Sequence, residues 1–137
     1  MSFPDGFERH FRQSRITDPW EPIYSRRAPG EAIILGLLAT EAHANSRGFV
    51  HGGLIATLAD NAMGLSCHEH LQSAAPAGLV TVSLSLDYLG IARIGQWLEF
   101  STTFVKAGRS LCFAQAFVTA DDKPCARANA TFSIPAK

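Results

Sequence analysis

The chain has 137 residues, 47% hydrophobic and 18% charged, with 12 Lys and Arg balancing 12 Asp and Glu. That length suits one domain spanning 1–137 around one core, and the balanced charge argues against a broad electrostatic footprint for nucleic acid or a membrane surface. So small a charged fraction leaves little polar surface to cover a monomer, which points to an oligomer.

The N-terminus, MSFPDGFERHFRQS, holds acids and a proline and lacks the apolar segment of a secretory leader. No apolar run approaches the roughly 20 residues of a membrane span. With no targeting signal in view, the expectation is a cytoplasmic protein. Phe7 and Phe11 stand four residues apart, which predicts a short helix over 7–14. DPWEPIYSRRAPGE, with its three prolines and a glycine, reads as loop, so 1–30 is expected to be a helix-and-loop extension. Ile33 to Glu41 reads as a strand, and HANSRGFVHGG as a glycine-rich connection.

LIATLADNAMGLSC, from Leu54 to Cys67, follows as a helix. On a wheel of about 100° per residue, Leu54, Ile55, Leu58, Ala62 and Leu65 share one face, with Thr57, Asp60, Asn61 and Gly64 opposite. A helix on an exposed sheet face usually shows a charged outer side. This stretch has no Lys, Arg or Glu, so it is expected to be covered nearly all round by a wrapped sheet and a second subunit.

Beyond it, Val80, Val82, Leu84, Leu86 and Tyr88 alternate with Thr81, Ser83, Ser85 and Asp87, which predicts a half-buried strand. QWLEFSTTFVK, LCFAQAFVTA and CARANATFSI are further strands, separated by the short turns AGRS and DDKP. Short turns imply antiparallel neighbours, so the chain reads as strand, long helix, then four meandering strands. Cys67, Cys112 and Cys125 show no C-x-x-C spacing; reduced, partly buried thiols are expected, with no disulfide framework and no metal site.

Asp60 interrupts an otherwise uncharged helix. It has three readings: an N-cap of a helix starting at Asn61, a structural acid bonded to a neighbouring strand, or a working carboxylate. The glycines favour the last. Gly52 and Gly53 precede the helix, where free N–H groups and the helix dipole attract negative charge and polarise a carbonyl. Asp60 lies eight residues beyond Gly52, about 12 Å of helical rise. That is too far for acid and donor to share one reacting atom. In a homodimer the acid of one subunit faces the glycine turn of the other, which predicts an active site at the subunit interface.

Asn45, Gly48, His51, Gly52 and Gly53 form N-x-x-G-x-x-H-G-G, followed by Asp60 on the helix. With VTVSLSLDYLGIARIGQWLEF and VKAGRSLCFAQAFV downstream, residues 31–134 resemble the hotdog-fold acyl-CoA thioesterases, in the phenylacetate-pathway and THEM-type branch. The resemblance implies an α+β hotdog fold, an antiparallel sheet wrapped around one long central helix, assembled as a homodimer and then a dimer of dimers. It implies hydrolysis of acyl-CoA or aryl-CoA thioesters to free acid and coenzyme A. Coenzyme A is then part of the substrate, and no cofactor or metal is required. Asp60 matches the nucleophile or general base, Gly52 the N–H on the thioester carbonyl, and Asn45 a residue positioning substrate or water. His51 either acts directly or shapes the turn. Thr81 either orients the attacking water or is simply a polar strand position. Lys106, Gly108, Arg109 and Ser110 match a phosphate-contacting turn, or form an ordinary solvated hairpin. Met63, Phe49 and Leu54 are expected in the acyl pocket wall. Gly90, Ile91 and Gln96 depart from the family's usual residues. Two rival functions fit the same fold: hydration or dehydration of an enoyl thioester, and acyl-CoA binding without catalysis.

Overall fold

The computed structural model describes residues 3–29, 32–71 and 78–135; Gly30 and Glu31 of the expected loop lie outside them. The strands are β1 (Glu8–Arg9), β2 (Tyr24–Arg27), β3 (Ile33–Leu38), β4 (Val80–Tyr88), β5 (Trp97–Ala107), β6 (Leu111–Ala120) and β7 (Lys123–Ser133). The one α-helix of the described residues, α1, runs unbroken over Gly52–Leu71. The strands form a 7-stranded sheet in the order β1-β2-β3-β5-β6-β7-β4. Every pairing is antiparallel.

Helix α1 lies across β3, β5, β6 and β7 on one face of this sheet. Its Leu54, Ile55, Leu58, Ala59, Ala62, Met63 and Cys67 are buried against Leu35, Leu37, Leu98, Phe100, Val118 and Phe132. Beneath it the inward positions of β6 and β7 are mostly small: Ala114, Ala116, Ala126, Ala128 and Ala130. Small side chains let the helix settle close to the sheet. Ser66, buried on the helix, accepts from the Ile33 N–H at 3.0 Å and ties α1 to the start of β3. The β6–β7 hairpin turns through Asp121 and Asp122, both at positive φ (47 and 68), which short polar side chains tolerate.

Several expectations need correction. No helix forms over 7–14. Phe7 instead packs edge-on against Trp97, with ring centroids 5.1 Å apart, and Glu8–Arg9 pairs with β2. Tertiary packing on Trp97 overrides the i, i+4 pattern. Strand β2 forms inside the stretch read as loop, because Tyr24 to Arg27 lies between its prolines and has a partner in β3. The last four strands are not a simple meander: β5, β6 and β7 are, but β4 pairs with β7 at the sheet's far edge. Nor is β4 half-buried within one chain; all of its residues but Leu86 are exposed, Val80 and Val82 at 62% and 61%.

Candidate active site

The unbroken helix removes the N-cap reading of Asp60, which sits in the middle of α1. Asp60 is half-buried, less enclosed than the sequence suggests, because one side of the helix borders a cavity. Its Oδ1 accepts a hydrogen bond from the Thr81 hydroxyl at 2.9 Å. A bulge in β4 makes this contact. The register slips between Thr81 and Ser83. On the helix-facing side of β7 stand Ala126, Ala128, Ala130 and Phe132, opposite Tyr88, Leu86, Leu84 and Thr81. Strict alternation would have put Val82 inward and Thr81 outward; the extra residue reverses them. Bulges beside sites commonly re-aim a side chain in this way.

At the other end of β4, the Tyr88 hydroxyl donates to the Gly52 carbonyl at 2.7 Å. Desolvation raises the Tyr88 phenol pKa, which keeps it the neutral donor. His51 accepts from the Gly53 N–H through Nδ1 at 2.9 Å, a cap on the first helical turn. The Gly52 N–H is left at the open end of the helix. Asn45 Oδ1 accepts from the backbone N–H groups of Arg47 (2.9 Å) and Phe49 (3.1 Å), so this side chain braces the loop into α1. Gly48 permits the turn with φ +82.

The structure thus brings Asp60 and Thr81 together, and Asn45, His51 and Gly52 together, as two groups at opposite ends of β4. They do not meet within one chain. Lys106, near the end of β5, and Gly108, Arg109 and Ser110 of the β5–β6 turn are exposed; in the turn the Gly108 N–H donates to the Leu111 carbonyl and the Ser110 carbonyl accepts from Ile134. Leu111 pairs with Ser133, which pairs with Val80, so the turn lies near the Thr81 end of β4.

The cavity beside Asp60 has a volume of about 270 Å³. From the helix it is lined by Asp60, Asn61, Gly64, Leu65 and His68, and a Cβ on Gly64 would come within 3.4 Å of Phe132. Thr81, Leu79 and Phe132 supply another wall. The remaining wall comes from the N-terminal segment through His10, Arg12, Gln13, Ser14 and Thr17. Of the residues expected in the pocket, Met63 and Leu54 are buried in the core. Phe49 sits between the guanidinium groups of Arg47 and Arg93, at 5.5 and 5.0 Å. Sequence reasoning missed Tyr88, His10, Arg12 and His68. No local pattern links residues 10–17 to a helix fifty positions later. Among the described residues no group of His, Cys, Asp and Glu is arranged to hold a metal ion, and no helix is long and apolar enough to cross a membrane.

A long helix cradled by an antiparallel sheet, with an acid on the helix facing a cavity at the sheet's edge, is the hotdog architecture. The chain belongs to the Thioesterase superfamily, whose pattern matches residues 47–126. It is 36% identical over 135 residues to the esterase-named protein PA0474 of Pseudomonas aeruginosa, covering 98% of this chain and 99% of that one. It is 35% identical over 94 residues to acyl-coenzyme A thioesterase 13 of Homo sapiens, 67% of this chain and 63% of that protein. The structure of zebra fish thioesterase superfamily member 2 superposes with a TM-score of 0.74 at 26% identity, covering 82% and 81% of the two chains.

Proposed function

We propose that this protein hydrolyses acyl-CoA or aryl-CoA thioesters to free acid and coenzyme A, in an active site shared by two subunits. The observation that carries this reading is the Thr81–Asp60 hydrogen bond beside the cavity. It fixes one carboxylate oxygen and leaves the other for the reaction.

Strand β4 is at the sheet's edge, with one side unpaired in a single chain. A second copy pairing antiparallel there, centred on Ser85, sets Thr81 of one subunit opposite the partner subunit's Tyr88, since Leu84 then faces Leu86, Ser83 faces Asp87, and the bulge at Val82 takes up the one extra residue. Tyr88 holds Gly52. The acid of one subunit then approaches the partner subunit's Gly52, which is the arrangement the helical spacing demands. Phe104, Phe113 and Phe117, exposed on the sheet at 49%, 42% and 43%, favour a further pairing of dimers. The assembly is read as a cytoplasmic homotetramer.

Asp60 acts in one of two ways. As nucleophile it adds to the thioester carbonyl carbon; the oxyanion forms on the Gly52 N–H, coenzyme A leaves as thiolate, and water then cleaves the mixed anhydride. As general base it takes a proton from water, whose oxygen adds to the same carbon; the tetrahedral intermediate then breaks its C–S bond, and coenzyme A leaves as thiolate and takes up the proton. Thr81 orients the carboxylate or the water. Asn45 and His51 shape the loop that presents Gly52, and the turn at Lys106, Gly108, Arg109 and Ser110 contacts coenzyme A phosphates.

The test is thiol release from a panel of acyl-CoAs by wild type and Asp60→Asn, with mass in solution measured on both. Release by wild type, its loss in Asp60→Asn, and a mass that is an even multiple of 14.8 kDa are expected. Full activity in a folded Asp60→Asn protein sinks the mechanism; an active monomer sinks the shared site.

A further inference from the structure

The cavity beside Asp60 has apolar lining from Ile23, Leu35, Leu58 and Phe132, but one of its walls is polar and ill suited to the far end of a hydrocarbon chain. Burying an alkyl group against unpaired polar side chains forfeits their hydration with no hydrogen bonds in return. Here His10, Arg12, Gln13, Ser14 and Thr17 form the wall brought by the N-terminal segment, and Asn61 and His68 join them from α1. Ser14 and Thr17 satisfy one another at 2.8 Å. The His10 Nδ1 is buried without a partner. Arg12 takes part in no ion pair among the described residues.

This wall stands at a defined end of the cavity. The Arg27 guanidinium lies 5.8 Å from the Phe11 ring centroid and pairs with Glu69 at 3.0 Å. That chain of contacts sets residues 10–12 beside the last turns of α1. From Asp60 to His68 is eight residues, about 12 Å along the helix axis. The cavity therefore has a negative end at Asp60 and a cationic end at Arg12. Asp60 is the sole carboxylate among the lining residues. At that separation its repulsion of a second anion is largely screened, since the Debye length is about 8–10 Å near physiological salt. The nearby Glu21 uses one carboxylate oxygen, on the Ile23 N–H at 2.8 Å and Arg9 at 3.7 Å, and its Oε2 is buried without a partner; Arg9 partly offsets its charge.

We propose that the cavity takes an acyl group ending in a carboxylate, as in a mono-CoA thioester of a dicarboxylic acid, with Arg12 as the residue that reads the charge and His10 supplying a further polar contact. The inference rests on the thioesterase reading above and adds the substrate class. Its polar wall uses residues 10–17, outside the 47–126 span that matches the superfamily. Burial makes His10 harder to protonate, and the Arg12 charge adds to that effect while Glu21 opposes it. Arg12 carries a permanent positive charge on this wall. A planar guanidinium suits a terminal carboxylate through two parallel hydrogen bonds.

The experiment compares adipoyl-CoA, ω-hydroxyhexanoyl-CoA and hexanoyl-CoA, matched in length, by kcat/KM in wild type, Arg12→Gln and Arg12→Lys. Adipoyl-CoA is expected to lead hexanoyl-CoA by about tenfold or more. Arg12→Gln should bring the ratio close to one and Arg12→Lys should recover part of it. A hexanoyl-CoA preference, equal use of the hydroxy compound, or a ratio unchanged in Arg12→Gln overturns the proposal while leaving thioester hydrolysis standing. Equilibrium binding of the same thioesters to Asp60→Asn and to Asp60→Asn/Arg12→Gln separates the two claims. If wild type releases no thiol, the hydrolase reading fails; the anion subsite stands on tighter adipoyl-CoA binding that Arg12→Gln abolishes, and falls if the three bind alike.

Discussion

Asp60 and Thr81 form the hydrogen-bonded pair on which the proposed chemistry depends. A hydrogen bond to a charged group is worth about 1.5–3 kcal/mol, and about 1.4 kcal/mol is tenfold in rate. Thr81→Ala should therefore lower kcat roughly tenfold or more, with little change in melting temperature because residue 81 is outside the core of its own chain. Thr81→Ser, which keeps the hydroxyl, should retain most of the rate. Steady-state kinetics on the best acyl-CoA of the panel, with a thermal melt beside it, checks both. Asp60 was legible from sequence because a carboxylate inside the run from Leu54 to Cys67, which has no Lys, Arg or Glu, has no ordinary surface role; Glu69 lies beyond that run, in the last turn of α1. Thr81 was legible only through family resemblance. Simple alternation puts it with Ser83, Ser85 and Asp87 on the outer side, and a single bulge brings it inward. Bulges leave no clear mark in the hydrophobic pattern. The geometry at His51 favours its turn-shaping reading, since its ring caps Gly53.

The helix and the strands around it show where local signals suffice. The run from Leu54 to Cys67 predicts a helix because its apolar residues recur at helical spacing, and the structure extends it from Gly52 to Leu71. Strands β5, β6 and β7 were legible because short polar turns separate them. The partner of β4 was not, since the segment between Leu89 and Gln96 is long enough to carry the chain across the sheet. The N-terminal segment was misread because two phenylalanines at helical spacing also suit an extended strap whose anchor, Trp97, lies far along the chain. Ser66 shows how one side chain joins two elements. It receives the buried Ile33 N–H, and Ser66→Ala would leave that donor unsatisfied, at a cost of about 1–3 kcal/mol. Chemical denaturation should show a lower midpoint with an unchanged slope. A midpoint within error of wild type would mean that β3 finds another partner for its first N–H.

At the scale of the whole molecule, the fold puts the polar groups proposed for catalysis on the cavity side and along one edge, and its thiols in the interior. Cys67, Cys112 and Cys125 are all free and all buried. Burial pushes the Cys67 thiol far up, and its neighbour Cys112 adds to the effect; burial likewise raises Cys125. The thiolate is the reactive form, so Cys67 and Cys125 are protected both by access and by protonation, and Cys112 by burial. A disulfide reagent should label none of the three on the timescale of an activity assay and all three after denaturation; rapid labelling of the native protein would contradict this. Under the proposed reaction each turnover liberates a thiol into the solution around the enzyme. A protein with an exposed thiolate would drift into mixed disulfides with its own oxidised product, and its activity would follow the redox state of its surroundings. By keeping every sulfur nucleophile of its own out of reach, this chain can release coenzyme A without becoming a target for it.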